Sequence, residues 1–336
     1  MKKYLLLCLC IFIIYNNAFS HNPALKFNQK GEFKILQLTD LHLQDSVAES
    51  VLAVAREMVE SEKPDLVVLT GDITFKYKDT ALVNIKKLAR IFTENKTPWV
   101  IVFGNHDEEC GFNRRYLSKI HQSFPYNHNA VTSGIKGVTN FVLPISDIKN
   151  KQEALLYFFD SNAYNTSQNK KLGKYEWIDF TQIDWYRKKS ASFTKKNGGK
   201  PRPGLAFFHI PIPEYEMVWA DSASTSIGIK SGEVSSTSFN SGLFASILQC
   251  GDIMATFVGH DHNNDYIGCY DGIALGYGQY SGPSNYGKLK PGARVIVLQE
   301  GKREFYTWIR EKGGKIKYKC HYPNSFLQDS EFYKGN

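Results

Sequence analysis

Beyond its first twenty residues the chain has no long hydrophobic run, no low-complexity tract and no internal repeat. The first absence leaves nothing near the ~20 consecutive apolar residues that a membrane-spanning helix needs. The other two argue against linkers, solenoids and propeller arrays. Cysteine is scarce, with six in 336 residues, and Cys8 and Cys10 fall inside the apolar start. Of the other four, Cys110, Cys250, Cys269 and Cys320, none has the Cys-x-x-Cys spacing of a zinc site. In an exported chain four cysteines permit two disulfides in three pairings, with free or buried thiols as the alternative.

Residues 1–20 read as a secretory signal peptide: Lys2 and Lys3 at the positive end, Leu5 to Ile14 apolar, and Ala18-Phe19-Ser20 as a small-x-small cleavage site. Leu7 and Leu9 precede the two early cysteines where lipoprotein processing wants a small residue, so release is expected over anchoring. Residues 21–336 are then expected to form one domain, exported to the periplasm or medium without stable membrane insertion. The formal charge of +8 includes Lys2 and Lys3 and falls to +6 without them. Its clusters, such as Arg187-Lys188-Lys189 and Lys195-Lys196, are short and suit a solvated helix face, so no nucleic-acid partner is expected beyond a possible nucleotide substrate.

What is present is more specific. Five apolar runs, Lys34–Leu38, Leu66–Leu69, Trp99–Phe103, Leu205–Phe208 and Ala255–Val258, read as buried strands. Each ends at groups that ligate metals: Asp40-Leu41-His42, Gly71-Asp72, Gly104-Asn105-His106-Asp107, His209, and Gly259-His260-Asp261-His262. A strand that stops at a carboxylate, amide or imidazole delivers it to the carboxyl edge of a sheet, where open α/β folds bind ligands. Five such deliveries form the pattern of a two-metal hydrolytic centre. Singly, Asp-x-His and Gly-Asp are commonplace, and a lone His209 is more often a core histidine than a ligand. The ordered set carries the inference.

Periodic apolar residues predict helices over Ser46–Glu62 and Thr80–Asn95, closed by Lys63-Pro64 and Thr97-Pro98. The resulting strand–helix alternation implies parallel pairing with right-handed crossovers. Further helices are expected near Thr181–Lys195 and Gly242–Gln249, with a strand at Leu155–Phe159. Late strands at Ile273–Tyr277, Arg294–Leu298, Glu304–Ile309 and Lys315–Lys319 are expected to run antiparallel. Two mixed β-sheets packed face to face with flanking helices, an α/β fold, fit this order. The Ser/Thr/Gly-rich stretch Ala220–Phe239 is expected to shape a substrate site.

The five motifs in this order resemble those of the calcineurin-like metallophosphoesterases, from about Phe33 to Trp308. The stretch from Phe207 to Glu214, with Gly292-Ala293-Arg294-Val295 and Thr307-Trp308-Ile309-Arg310, is similar to the branch related to purple acid phosphatases that carries Asp-x-His first. The resemblance implies a four-layer α/β sandwich with antiparallel strands from about residue 293. It implies two divalent or trivalent ions, one held by Asp40, His42 and His262, the other by Asn105, His209 and His260, with Asp72 bridging. A metal-bridged hydroxide would attack a phosphate ester in line while His106 aids the leaving group. Asp107 and Asp261 are read as outer or structural. Purple acid phosphatases place a tyrosine three residues after the bridging aspartate; here Phe75 stands there and His42 compensates, so no purple iron site is expected. Oxygen and nitrogen donors suit Fe, Mn, Zn or Co.

Tyr164, Tyr215, Tyr277 and Tyr280 are candidates for lining a pocket. Arg114 and Arg115 are candidates for gripping phosphate, with a salt-bridged helix start as the alternative. His21, His121, His128 and His321 lie outside the motifs and are expected at the surface. The substrate is expected to be a small phosphomonoester or phosphoprotein. The alternatives are a phosphodiesterase or nucleotidase on the same site, an esterase or peptidase using the same ions, and a non-catalytic metal- or polyanion-binding protein.

Overall fold

The computed structural model describes residues 22–221, 224–283 and 287–326. The signal-peptide pattern of residues 1–20 and His21 lie outside the described residues. In chain order the elements are β1 (Glu32–Leu38), α1 (Ala48–Glu62), β2 (Leu66–Thr70), α2 (Lys78–Glu94), β3 (Trp99–Val102), α3 (Arg114–Gln122), β4 (Phe141–Ser146), β5 (Gln152–Phe158), α4 (Phe180–Lys196) and β6 (Gly204–Phe207). There follow α5 (Glu214–Ala220), β7 (Ser226–Ile227), α6 (Leu243–Cys250), β8 (Ile253–Val258), β9 (Ile267–Tyr270), β10 (Ile273–Tyr277), β11 (Gly292–Gln299), β12 (Phe305–Glu311) and β13 (Ile316–Tyr322).

Two sheets result. One has the order β13-β12-β11-β1-β2-β3, the other β4-β5-β6-β8-β10-β9-β7. The pairs β1/β2 and β2/β3 are parallel, as the strand–helix alternation requires. In the second sheet β5/β6 and β6/β8 are parallel too. The late strands β11, β12 and β13 form the expected antiparallel ladder. Ile273–Tyr277 differs from expectation: β10 runs parallel to β8 and antiparallel only to β9. The turn at Asp271-Gly272 reverses the chain after β9 and sends β10 back along β8.

Side-chain alternation explains the layering. Ile35, Val68 and Val100 face the gap between the sheets, where they meet Leu156, Phe158, Leu205 and Phe257 from the other side. The rings of Phe257 on β8 and Phe305 on β12 stand 5.8 Å apart across this gap. Leu36, Leu38, Val67 and Leu69 point the other way, under Val51, Ala55 and Met58 of α1 and Ile85, Leu88 and Phe92 of α2. On the outer face of the second sheet, Leu155, Ala206 and Leu275 pack with Tyr186 of α4, Val218 of α5 and Ile247 of α6. Complete burial of such a side chain contributes ~1.5–3 kcal/mol, so the strands that present the motifs are held from both faces. Arg294, fully buried on β11, pins the sheets together by donating to the carbonyls of Tyr277 (2.5 Å) and Asp265 (2.6 Å) in the second sheet and its turn.

All four described cysteines are free thiols, so neither permitted disulfide forms. None of the three described histidines expected at the surface is fully exposed. His128 is only partly exposed. His121 is buried on α3 against the rings of Trp99 (5.7 Å) and Phe103 (6.3 Å), with no hydrogen-bond partner at Nδ1. His321 is half-buried and stacks on Tyr306 at 4.1 Å.

Burial pushes His121 from 6.5 down to about 3. Its folded pKa is depressed, so the unfolded chain takes up the proton first. Stability from keeping this ring neutral is full above about pH 6.5 and is lost as pH falls toward 3. Relative to His121→Leu, the wild type is expected to lose about 2 kcal/mol between pH 7 and pH 5, at ~1.4 kcal/mol per unit below 6.5. Urea unfolding at both pH values measures it, and parallel pH profiles would refute it.

Candidate metal centre

The carboxyl ends of β1, β2, β3, β6 and β8 open on one place, and the seven side chains expected to ligate converge there. Asp40, His42 and His262 put ligand atoms within 4.8 Å of one another, and so do Asp72, His209 and His260. Between the clusters sits the Asp72 carboxylate, whose Oδ2 lies 3.1 Å from His209 Nε2 and 3.8 Å from His42 Nε2. Its Oδ1 accepts the backbone N–H of His106 at 2.8 Å, which fixes the plane of the carboxylate. Asn105 Oδ1 is 3.2 Å from His209 Nε2, while Asn105 Nδ2 donates to the Tyr164 hydroxyl at 2.9 Å and so turns the carbonyl inward.

The local backbone is shaped to deliver these groups. Asp40, His42, Asp72 and His260 hold φ of 55°, 45°, 50° and 77°, a left-handed conformation that costs a side-chain-bearing residue ~1–3 kcal/mol each. Asp107 offsets part of this cost. Its buried carboxylate accepts the N–H groups of Gly104 (2.8 Å), Asp72 (3.1 Å), Ile73 (2.8 Å) and Thr74 (3.0 Å), and so welds the second motif to the third. Burial and the nearby Asp72 charge push Asp107 up to about 6. A Cβ on Gly104 would lie 2.1 Å from Asp72 Oδ1, so the third motif needs glycine there for β3 to approach Asp72. Asp261 turns away from the clusters and accepts the Tyr277 hydroxyl (2.6 Å) and the Ser235 N–H (3.1 Å).

The donor chemistry fits cations. His209 Nδ1 donates to the Thr70 carbonyl at 2.7 Å, which leaves Nε2 as the lone-pair atom of the neutral ring. That atom faces Asn105 Oδ1 and Asp72 Oδ2, so acceptors crowd an acceptor unless positive charge lies among them. The same demand shows in protonation. Burial opposes charge on His209, yet the Asp72 and Asp40 carboxylates outweigh it and raise His209 to about 9. Burial would raise Asp40, but His262 holds it down at about 2. Asp72 is likewise held well below the usual range by His209 against its burial. Burial lowers His42 to about 4, and burial with the His209 charge lowers His260 to about 3. The site is therefore two carboxylates among imidazoles, of which burial keeps His42 and His260 neutral while the carboxylates draw positive charge to His209, a set suited to bind metal.

His106 stands beside the clusters and not among them. Its Nδ1 is 2.7 Å from Glu109 Oε1, and its ring meets Phe75 at 5.3 Å, His42 at 5.4 Å and Tyr164 at 6.0 Å. Glu109 was not singled out from sequence; its place three residues after His106 in a turn of 3-10 helix over Asp107–Cys110 was the available signal. Of the four tyrosine candidates, Tyr164 lines the cavity above the clusters. Tyr280 stacks on His262 at 4.5 Å, Tyr277 braces Asp261, and Tyr215 is a core residue bonded to Thr256. Arg114 forms the salt-bridged helix start: it is buried at the start of α3 in ion pairs with Asp160 and Glu108 and donates to the carbonyls of Gly104 (2.7 Å) and Asn162 (3.0 Å). Arg115 is exposed and is not among the described residues lining the cavity.

Comparison with known proteins agrees with this geometry. A family profile described as calcineurin-like phosphoesterase matches residues 33–264. Probable inactive purple acid phosphatase 29 of Arabidopsis thaliana is 34% identical over 90% of this chain and 85% of its own. Phosphatase DCR2 of Saccharomyces cerevisiae is 29% identical over 86% of this chain and 55% of its own. A solved dimetal phosphatase from Danio rerio shares the fold with a TM-score of 0.58, at 12% identity, over 86% of this chain and 98% of that one. The two-sheet fold and its carboxyl-edge site thus define a metallophosphoesterase. The chain belongs to the calcineurin-like phosphoesterase family, in the branch akin to purple acid phosphatases. The family binds two metal ions, the number of clusters found here.

A carboxylate placed between the two clusters would serve both ions. Asp72→Ala is therefore expected to purify with neither ion, against two per chain in the wild type, by elemental analysis. Two retained metals would remove Asp72 from the bridging position.

Proposed function

We propose that this protein is a dimetal phosphohydrolase acting on phosphomonoesters. The observation that carries the reading is the complete donor set: seven converging side chains, with a carboxylate oxygen between two clusters. Asp40, His42 and His262 would hold one ion, Asn105, His209 and His260 the other, and Asp72 both. Bound there, such a pair supplies positive charge for the phosphoryl oxygens and makes water a nucleophile at neutral pH. The protein's own residues do the rest. Thr70 and Asp40 orient His209 and His260 through the Nδ1–H of the one and the backbone N–H of the other. Glu109 anchors His106 at Nδ1, and Nε2, 3.4 Å from the Tyr164 hydroxyl, would hold or move a proton at the leaving oxygen. Phe75 packs edge-on against that ring at 5.3 Å and gives it an apolar flank.

A monoester dianion gains more than a diester anion from two cations and His106, which is the reason for preferring phosphomonoesterase over phosphodiesterase or nucleotidase. The relative named as inactive bears that word for itself; here none of the seven donors is missing. The substrate would be a small phosphorylated compound or a phosphoprotein, and the metals iron, manganese, zinc or cobalt. Export belongs to the same proposal on the pattern of residues 1–20, and N-terminal sequencing of released protein that begins elsewhere than near His21 would count against it.

Rates on p-nitrophenyl phosphate and its bis ester, with each metal added, test the proposal. Faster hydrolysis of the monoester supports it, faster hydrolysis of the bis ester favours a phosphodiesterase, and two bound metals with no turnover of either would make this a binding protein. His106→Ala is expected to keep both metals and lose about 10²–10⁴-fold in kcat, most with poor leaving groups. Glu109→Gln should shift kcat in the same direction by less. Loss of metal in the His106 variant would make His106 a ligand and remove the proposed acid.

A further inference from the structure

The cavity over the two clusters has a volume of about 460 Å³, within the ~300–1,000 Å³ of small-molecule sites and roomier than a phosphoryl group alone requires. The alcohol part of a substrate therefore sits inside it, and the walls act on that part. One wall is the segment from Tyr164 to Tyr175, closed by a backbone bridge between these two residues. Their rings stack at 5.8 Å and 26°. The platform is tied to the metal centre at both ends. The Tyr164 hydroxyl accepts from Asn105, and the Tyr175 ring meets His260 edge-on at 4.6 Å.

On this platform lies Lys174, the single lysine or arginine among the described residues lining the cavity. Its ammonium stands 4.8 Å from the centre of the Tyr175 ring and 5.8 Å from that of Tyr164. Cation–π attraction holds it over the two rings, where a lysine on a free loop would swing into bulk water. The segment itself has little freedom: Gly173, at φ +83°, abuts the Ser-rich wall so closely that a Cβ would lie 1.9 Å from Ser238 Oγ. Tyr164 also borders His106, so Lys174 is on the side from which the alcohol departs. The cavity lining also carries the carboxylates Glu233 and Asp261, which repel anions. Among the described residues, a second negative charge on the substrate has one basic side chain to meet.

We propose that Lys174, seated on Tyr164 and Tyr175, determines specificity by binding a second anionic group on the alcohol part of the substrate, so that the preferred substrates are phosphomonoesters of small acidic alcohols. The inference rests on the phosphohydrolase reading, because it takes the phosphoryl group to lie at the clusters. A carboxylate and a second phosphate present the same charge to the ammonium.

The test is calorimetric binding to the metal-loaded, full-length protein of three hydrolysis-resistant probes: propylphosphonate, its isostere 3-phosphonopropionate, and ethylene-1,2-diphosphonate. The wild type is expected to bind at least one doubly anionic probe about tenfold more tightly than propylphosphonate, and the stronger of the two identifies the second anion. Lys174→Ala should bring that ratio close to one, Lys174→Glu below one, and Lys174→Arg should retain most of it. A ratio near one in the wild type overturns the proposal. So does a ratio that survives in Lys174→Ala, or an equal loss of all three probes there, which would place Lys174 on the phosphoryl group itself. Failure of the underlying reading looks different: p-nitrophenyl phosphate is not hydrolysed while the lysine-dependent ratio persists. If the metal-loaded wild type binds none of the probes, both readings fall.

Discussion

A carboxylate cannot be buried cheaply, and Asp72, almost fully shielded from solvent, is the group on which the other parts of this site depend. One oxygen is committed to the His106 N–H, and the other faces imidazoles of both clusters. Its charge is what raises His209, and its left-handed backbone is what Asp107 holds in place with four accepted N–H bonds. The arrangement is stable only if positive charge compensates it. A fold that buries two carboxylates, Asp40 and Asp72, at the junction of its sheets is therefore built around what those carboxylates attract.

That dependence also explains why the site lies between two sheets. Asp40, Asp72 and Asn105 follow three parallel neighbours, β1, β2 and β3, while His209 and His260 follow β6 and β8 of the other sheet. Neither sheet holds a complete donor set. The apolar layer between them and the buried Arg294 set the separation of the two halves, so packing far from the site controls distances within it. Conversely, Gly104 shows how little slack remains, since even one added carbon there would strike the Asp72 carboxylate.

The five ligand-bearing strands were legible because each is a dense apolar run stopped by a polar motif, and buried strands are the elements whose composition departs most from that of loops. The same logic fails at the margins. β4 contains Pro144, is half-exposed along much of its length and lies at a sheet edge, where proline is tolerated, so its pattern is weak. β7 has two residues and exists only through its pairing with β9. Parallel pairing of β10 depends on a long-range neighbour that local periodicity does not reveal. His121 was misjudged for a related reason: residue type predicts exposure, but the ring is sheltered by Trp99 and Phe103, which no local pattern brings to it. For Arg114 the salt-bridged helix start, one of two readings open in the sequence, is the one that forms, through Asp160 and Glu108. Glu109 and Lys174 acquire their places from a tight turn and from a two-tyrosine platform, neither of which has a motif.

Phe75 shows how the first motif and the position after Asp72 constrain one another. In purple acid phosphatases the corresponding residue is a tyrosine that contributes an anionic oxygen. Here a phenyl ring fills that place and packs edge-on against His42, at 5.4 Å and 84°. A ring without a hydroxyl brings no charge, and His42 brings a nitrogen donor that burial keeps neutral. The donors then total two negative charges, from Asp40 and Asp72, where a phenolate would make three. With less ligand charge, cations held there would be more electrophilic and less suited to the trivalent state, because hard, highly charged ions are stabilised by anionic oxygen. The exchange also gives Phe75 a second contact, with the ring of His106. A phenyl ring at this position would thereby set the charge available to metals and gives His106 its apolar flank.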